Sequence, residues 1–146
     1  MKFFLAGIIQ GSITEDRIHP QNYRERIKDI LHRNFPQDEV YCPIEHHPQS
    51  LGYDEALGRR VFIKHIEMAS EFDCLVAFLP EASMGTAIEM WVASCNARKI
   101  VSISPMAENW TIKFLSDAIV PGIAEFEEFV TSGRMKLLLD GKDSQG

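Results

Sequence analysis

Cysteine is scarce and unpaired in this sequence: Cys42, Cys74 and Cys95 are odd in number and show no C-x-x-C spacing. That excludes a disulfide scaffold, and the thiols read as buried side chains in a reducing compartment. Long apolar runs are also missing. Met1 to Ala6 opens like a leader, but its apolar run stops at Gln10 with no small-residue cleavage site after it. No stretch approaches the roughly 20 residues a membrane helix needs. Positive charge is short as well, with 15 Lys and Arg against 21 Asp and Glu and a net charge of −6. A protein that grips a nucleic acid polymer by its phosphates needs the opposite balance. A single small anion needs only a local nest of donors. The expectation is a cytoplasmic protein with neither a membrane nor a polymer partner.

What is present alternates. Phe3 to Ile9 is an almost wholly apolar run ending in Gln10-Gly11-Ser12, the pattern of a buried parallel strand entering a loop. Tyr23, Ile27, Ile30, Leu31 and Phe35 follow at helical spacing, closed by Pro36. Val40-Tyr41-Cys42 is a second strand stopped by Pro43, and a loop rich in His, Pro, Gln and Ser comes next. Val61, Phe62, His65, Ile66 and Ala69 share one helical face. Cys74 to Leu79 is a third strand. Met84, Ile88, Trp91, Val92 and Cys95 mark a helix from near Ser83, with Trp91 expected in the core. Ile100 to Ile103 is a fourth strand, Trp110 to Ser116 a short helix, Ile119-Val120 a further short run, and Ile123, Phe126, Phe129 and Val130 a last helix.

Strands apolar on both sides, alternating with helices, predict a flavodoxin-like or Rossmann-like α/β fold. Its doubly wound parallel sheet has about five strands in the order 2-1-3-4-5, with helices on both faces. One domain over 1–139 and a polar tail over 140–146 account for the chain, which shows no repeat or linker. Ligands of such sheets bind beyond the carboxyl ends of the strands, which singles out Gly7–Ser12, Pro80–Gly85 and Ser104–Asn109.

The chemistry concentrates in Pro80-Glu81-Ala82-Ser83-Met84-Gly85-Thr86-Ala87-Ile88-Glu89-Met90. Ser83 suits an N-cap, Gly85 allows a ligand close to the first helical turn, and the free amides there favour an anion or a sugar hydroxyl. Glu89 lies one turn further in, beside the apolar stripe. On spacing alone it is either a carboxylate reaching the ligand or a rim carboxylate on an ordinary helix. Ala6-Gly7-Ile8-Ile9-Gln10-Gly11-Ser12 offers a second nest, although glycines after strands often serve only the turn. It is neither a phosphate-binding P-loop nor a dinucleotide fingerprint.

Phe4-Leu5-Ala6-Gly7, Asp73-Cys74-Leu75-Val76-Ala77 and Gly85-Thr86-Ala87-Ile88-Glu89 together resemble the nucleoside 2-deoxyribosyltransferase family, in order and spacing across residues 3–120. The resemblance implies that Glu89 is a nucleophile. It would attack the anomeric carbon of a nucleoside or nucleotide, expel the base and form a glycosyl ester that water or a second base resolves. It also implies no cofactor and a homodimer or higher homo-oligomer.

Departures from the family pattern carry information too. Phe4 stands where the family has a Tyr that hydrogen-bonds the nucleophile. Ser83 stands where transferases carry an Asp that holds the sugar 5′-hydroxyl. The related 2′-deoxynucleoside 5′-monophosphate N-hydrolases have Ser there and a first loop resembling Gly7-Ile8-Ile9-Gln10-Gly11, which favours a phosphate and water as acceptor. Gln10 replaces their phosphate-binding Arg. His65 takes the place of an Asp that assists base departure, either as proton donor or as a hydrogen-bonded core histidine. His46, in Glu45-His46-His47-Pro48, matches a Glu-His pair that gates the substrate, and adjacent loop histidines lack the spacing of a metal site. Asn109 and Ser116 fall in the region that reaches a neighbouring subunit's site. Three functions stay open: N-hydrolase, base-exchanging transferase on free nucleosides, and non-catalytic nucleotide sensor.

Overall fold

The computed structural model describes residues 1–15 and 17–141. Five short runs pair into one sheet: β1 (Lys2–Gly7), β2 (Glu39–Tyr41), β3 (Cys74–Phe78), β4 (Lys99–Ile103) and β5 (Ala118–Val120). Their order is β2-β1-β3-β4-β5 and every pair is parallel. This is the predicted flavodoxin-like arrangement. Successive side chains leave opposite faces of the sheet. Phe3, Leu5, Cys74, Val76, Val101 and Ile103 build one core layer. Phe4, Ala6, Leu75, Ala77 and Ile100 build the other.

Against the first layer lie α1 (Tyr23–Asn34), α6 (Ile123–Thr131) and α7 (Arg134–Leu139). The predicted stripes hold here: Ile27, Ile30, Leu31, Phe126, Phe129 and Val130 are all buried. The sequence pattern misses α7, a short helix that starts after Gly133 turns the chain at φ +83° and seats Met135 and Leu138 in the same core. Asp140 caps α7, and residues 142–146 of the expected tail lie outside the described residues.

On the second face lie α3 (Glu55–Met68), α4 (Met84–Cys95) and α5 (Trp110–Leu115). The segment read as a loop after β2 holds α2 (Pro43–His46) and a 3₁₀ turn at Ser50–Gly52. Helix α4 has the opposite phase to the one its composition suggests. Its buried residues are Thr86, Met90 and Ala93, while Met84, Ile88 and Trp91 are 81%, 42% and 60% exposed. Trp91 is therefore not core, and Cys95 is exposed rather than a buried thiol. Met90 and the smaller Thr86 and Ala93 face inward where the helix packs over β3 and β4, and the stripe of Met84, Ile88 and Trp91 is left outside. Among the described residues no helix is long and apolar enough to cross a membrane.

Candidate functional site

Connections from β1 and β3 leave in opposite directions along the sheet, which opens a crevice at the carboxyl ends of these two strands. A cavity of about 560 Å³ occupies it, a size suited to a nucleotide-sized ligand. Leu5, Ala6 and Gly7 at the end of β1 form its floor, and the loop Ile9-Gln10-Gly11 and the first turns of α4 form one wall. The segment after β2 and one face of α3 close the other side. Of the three loops singled out from the sequence, the first two meet here. Ser104–Asn109 does not line the cavity.

Ser83 caps α4 as its sequence suggests. Its Oγ accepts from the Thr86 amide at 3.4 Å and shares a 3.0 Å hydrogen bond with the Thr86 hydroxyl. A Cβ added to Gly85 would meet nothing within 4 Å, so this turn is open to a ligand. Glu89 lines the same cavity one turn further along. Among the described residues its carboxylate has no hydrogen bond or ion pair. Burial pushes its pKa up to about 8, and the positive charge of Arg24 pulls in the other direction.

The glycines of the first loop have different causes. A Cβ on Gly7 would lie 2.5 Å from the Tyr23 hydroxyl, so Gly7 makes room for a phenol ring rather than for a ligand. The Tyr23 hydroxyl donates to the Ile8 carbonyl at 3.0 Å. Gly11 has φ +56°, and a Cβ there would press on Ile8, His19 and Glu81. His19 Nε2 sits 3.0 Å from Glu81 Oε1, where the loop after β1 meets the loop after β3. Ile9 and Gln10 line the cavity beside them.

Arg24 escaped the sequence analysis altogether. Within Tyr-Arg-Glu-Arg on a helix it reads as one surface charge among several, yet it is 3% exposed and lines the cavity. Its guanidinium donates to the carbonyls of Leu5 (2.9 Å) and Gly7 (3.1 Å) and to Gln21 Oε1 (2.7 Å), and Cys42 Sγ is 3.7 Å away. None of these partners carries a negative charge. A buried cation without a counter-ion is expensive unless the site uses its field.

An aromatic and imidazole cluster covers the side of the cavity below α3. Tyr41 bonds His65 Nε2 through its hydroxyl at 3.2 Å, and His47 Nδ1 meets the Tyr53 hydroxyl at 2.9 Å. His47 packs edge-on to His65 with ring centroids 5.1 Å apart. His65, His47 and Tyr53 line the cavity, whereas His46 is exposed and stacked on Tyr41 outside it. The residue of the pair that faces the ligand space is therefore His47, not the predicted His46. His65 is placed as expected, but burial, His47, Lys64 and His46 lower its pKa to about 4. At neutral pH its ring is uncharged, so it suits orientation of a ligand better than donation of a proton from an imidazolium.

Asn109 and Ser116 are not brought to the cavity of their own chain. Asn109 caps α5 through a 3.1 Å bond from the Thr111 amide, and the Ser116 hydroxyl is paired with Ser102 at 2.7 Å. Among the described residues no three His, Cys, Asp or Glu side chains are grouped to hold a metal ion.

No family model matches the sequence, and no curated protein matches it either. Solved structures do match its fold. A 2-deoxyribosyltransferase from the psychrotolerant bacterium Bacillus psychrosaccharolyticus superposes with a TM-score of 0.66 at 18% identity, covering 87% of this chain and 90% of that one. A conserved protein from Enterococcus faecalis V583 gives 0.59 at 18% identity, over 90% of this chain and 98% of the other. These likenesses extend over nearly the whole chain and establish a shared fold.

Proposed function

We propose that the protein cleaves the N-glycosidic bond of a (deoxy)nucleoside 5′-monophosphate or (deoxy)nucleoside, with Glu89 as nucleophile and water as the favoured acceptor. The observation that carries this reading is the Glu89 carboxylate, unpartnered in a nucleotide-sized cavity one turn inside the capped start of α4. A carboxylate that only served the fold would be hydrogen-bonded or turned to solvent. The fold shared with a 2-deoxyribosyltransferase supports the same class of substrate.

In the proposed reaction the ionised Glu89 attacks the anomeric carbon, the C–N bond breaks toward the base, and a glycosyl ester forms. The base departs with the bonding pair and takes up a proton from water, and the later hydrolysis of the ester returns one. Water then opens the ester to the free sugar and restores the carboxylate. Ser83, the open turn at Gly85 and the amides of Ile9 to Gly11 would hold the 5′ end; among the described residues Glu89 is the sole carboxylate lining the cavity. His65, hydrogen-bonded to Tyr41, would orient the base, and His47 would close over it.

The exposed stripe Met84, Ile88 and Trp91 on α4 continues into Trp110 and Phe114 on the adjoining α5. An apolar surface of this kind supports a homo-oligomer, in which Asn109 and Ser116 would serve a neighbour's cavity.

Incubation with a panel of nucleosides and 5′-monophosphates, followed by chromatography for free base, tests the proposal. Release of base without an acceptor is expected. Release only in the presence of a second base would make the protein a transferase. Binding without release would leave a sensor.

A further inference from the structure

From its place on the end of β1, we infer that Arg24 is a positioning residue for Glu89, supplying the positive field that holds the carboxylate in its attacking form where Phe4 offers no hydroxyl. The inference rests on Glu89 being the nucleophile proposed above, but its physical core, a coupling between two side chains, can be measured without turnover.

Three observations carry it. First, the guanidinium is fixed. Two strand-end carbonyls and Gln21 hold it, so its charge sits at one point on the cavity floor rather than on a flexible stem. Second, none of the groups it touches compensates its charge, while Glu89, among the described residues the sole carboxylate of the cavity lining, has no hydrogen-bond or ion-pair partner there. The two groups of opposite charge line one cavity, where fields are screened less than in bulk water. Third, the nearby hydroxyls are engaged elsewhere. Phe4 is buried in the second core layer. The Tyr23 hydroxyl gives its proton to the Ile8 carbonyl, and that of Tyr41 is engaged with His65.

Among the described residues the other titratable groups of the lining are His47, Tyr53 and His65, which come from α3 and the segment after β2. Tyr23 stands behind Gly7 next to Arg24. Of these groups only Arg24 opposes the effect of burial on Glu89. A guanidinium keeps its charge across the whole working range, so the field does not switch off with pH. A hydroxyl would stabilise the same carboxylate through a single bond that must be released or stretched as the ester forms. A fixed charge set back in the floor leaves both carboxylate oxygens free for the sugar.

The test is a direct titration of the Glu89 carboxyl by NMR on protein with ¹³C-labelled Glu, the resonance being identified by its loss in Glu89→Gln. In Arg24→Met the midpoint should rise by about one pH unit or more, the size expected when an opposite charge is removed from such a site. Arg24→Lys should restore most of the shift. An unchanged midpoint in folded Arg24→Met would overturn the inference. Should Arg24→Met not fold, the wild-type protein suffices. The Arg24 Nε–H resonance should follow the titration of Glu89 and lose that step in Glu89→Gln, and a step that persists there would refute the coupling. Absence of base release in the substrate panel, with the titration as expected, would sink the glycosidase proposal and leave the coupling intact.

Discussion

The two faces of the sheet are finished differently. Under α1 and α6 the apolar stripes legible in the sequence are turned inward, α7 adds to the same core, and side chains such as Ile27, Leu31, Phe126 and Met135 are fully enclosed. Over the other face α3 buries no residue completely, α4 shows its apolar stripe to the outside, and Trp110 and Phe114 of α5 are 77% and 68% exposed. The cavity opens on this second side, between α3, α4 and the carboxyl ends of β1 and β3. One face stabilises the fold. The other leaves apolar surface exposed and an unpartnered carboxylate in its cavity, the marks of a surface kept for ligand and partner.

The sharpest way to break this contrast is to substitute Glu89. Glu89→Gln should lower base release by about a thousandfold or more, because the covalent route is lost and only binding remains. Residual activity near the wild-type level in a discontinuous chromatographic assay would remove the nucleophile from the proposal. In wild-type protein kcat/KM should fall as pH drops below about 8, the value to which burial lifts the free carboxyl.

The same substitution should make the fold stronger. A carboxyl with its pKa raised from 4.5 to about 8 holds its proton more tightly in the folded chain than in the unfolded one. The stability it allows is complete below the lower value and declines as pH rises through the upper one. Glu89→Gln should therefore match wild type in acid and exceed it by roughly 1–3 kcal/mol above pH 8 in urea titrations. On the enclosed face the sign reverses. Phe126→Ala should cost about 3–5 kcal/mol in the same titrations, with the cavity volume unchanged at the opposite side.

Smaller effects should follow on the open face. If the 5′ end of the substrate is a phosphate, Ser83→Asp should narrow the preference for a monophosphate over its nucleoside by like-charge repulsion, about tenfold for each 1.4 kcal/mol lost. Equal rates on both substrates in wild type would dispose of the phosphate. Trp110→Ser with Phe114→Ser should alter monomer stability by no more than about 0.5 kcal/mol, yet shift sedimentation toward the monomer. A monomeric, fully active wild type at micromolar concentration would contradict the proposed assembly.

The fold class, the strand order, the Ser83 cap and the position of Glu89 are legible in the sequence because each depends on local chemistry. Apolar runs of strand length, a hydroxyl before a helix and the residue one turn further on keep their meaning wherever the element docks. Only the tertiary structure decided which side of α4 faces inward, since an apolar stripe reads the same whether it meets a core or a partner, and Thr86, Met90 and Ala93 take the core side. It also decided between His46 and His47, which are adjacent in sequence and parted by a loop conformation. It turned Gly7 into space for the Tyr23 ring. Above all it decided Arg24, because the charge pattern of a helix does not reveal which cation will donate to two carbonyls at the end of a strand.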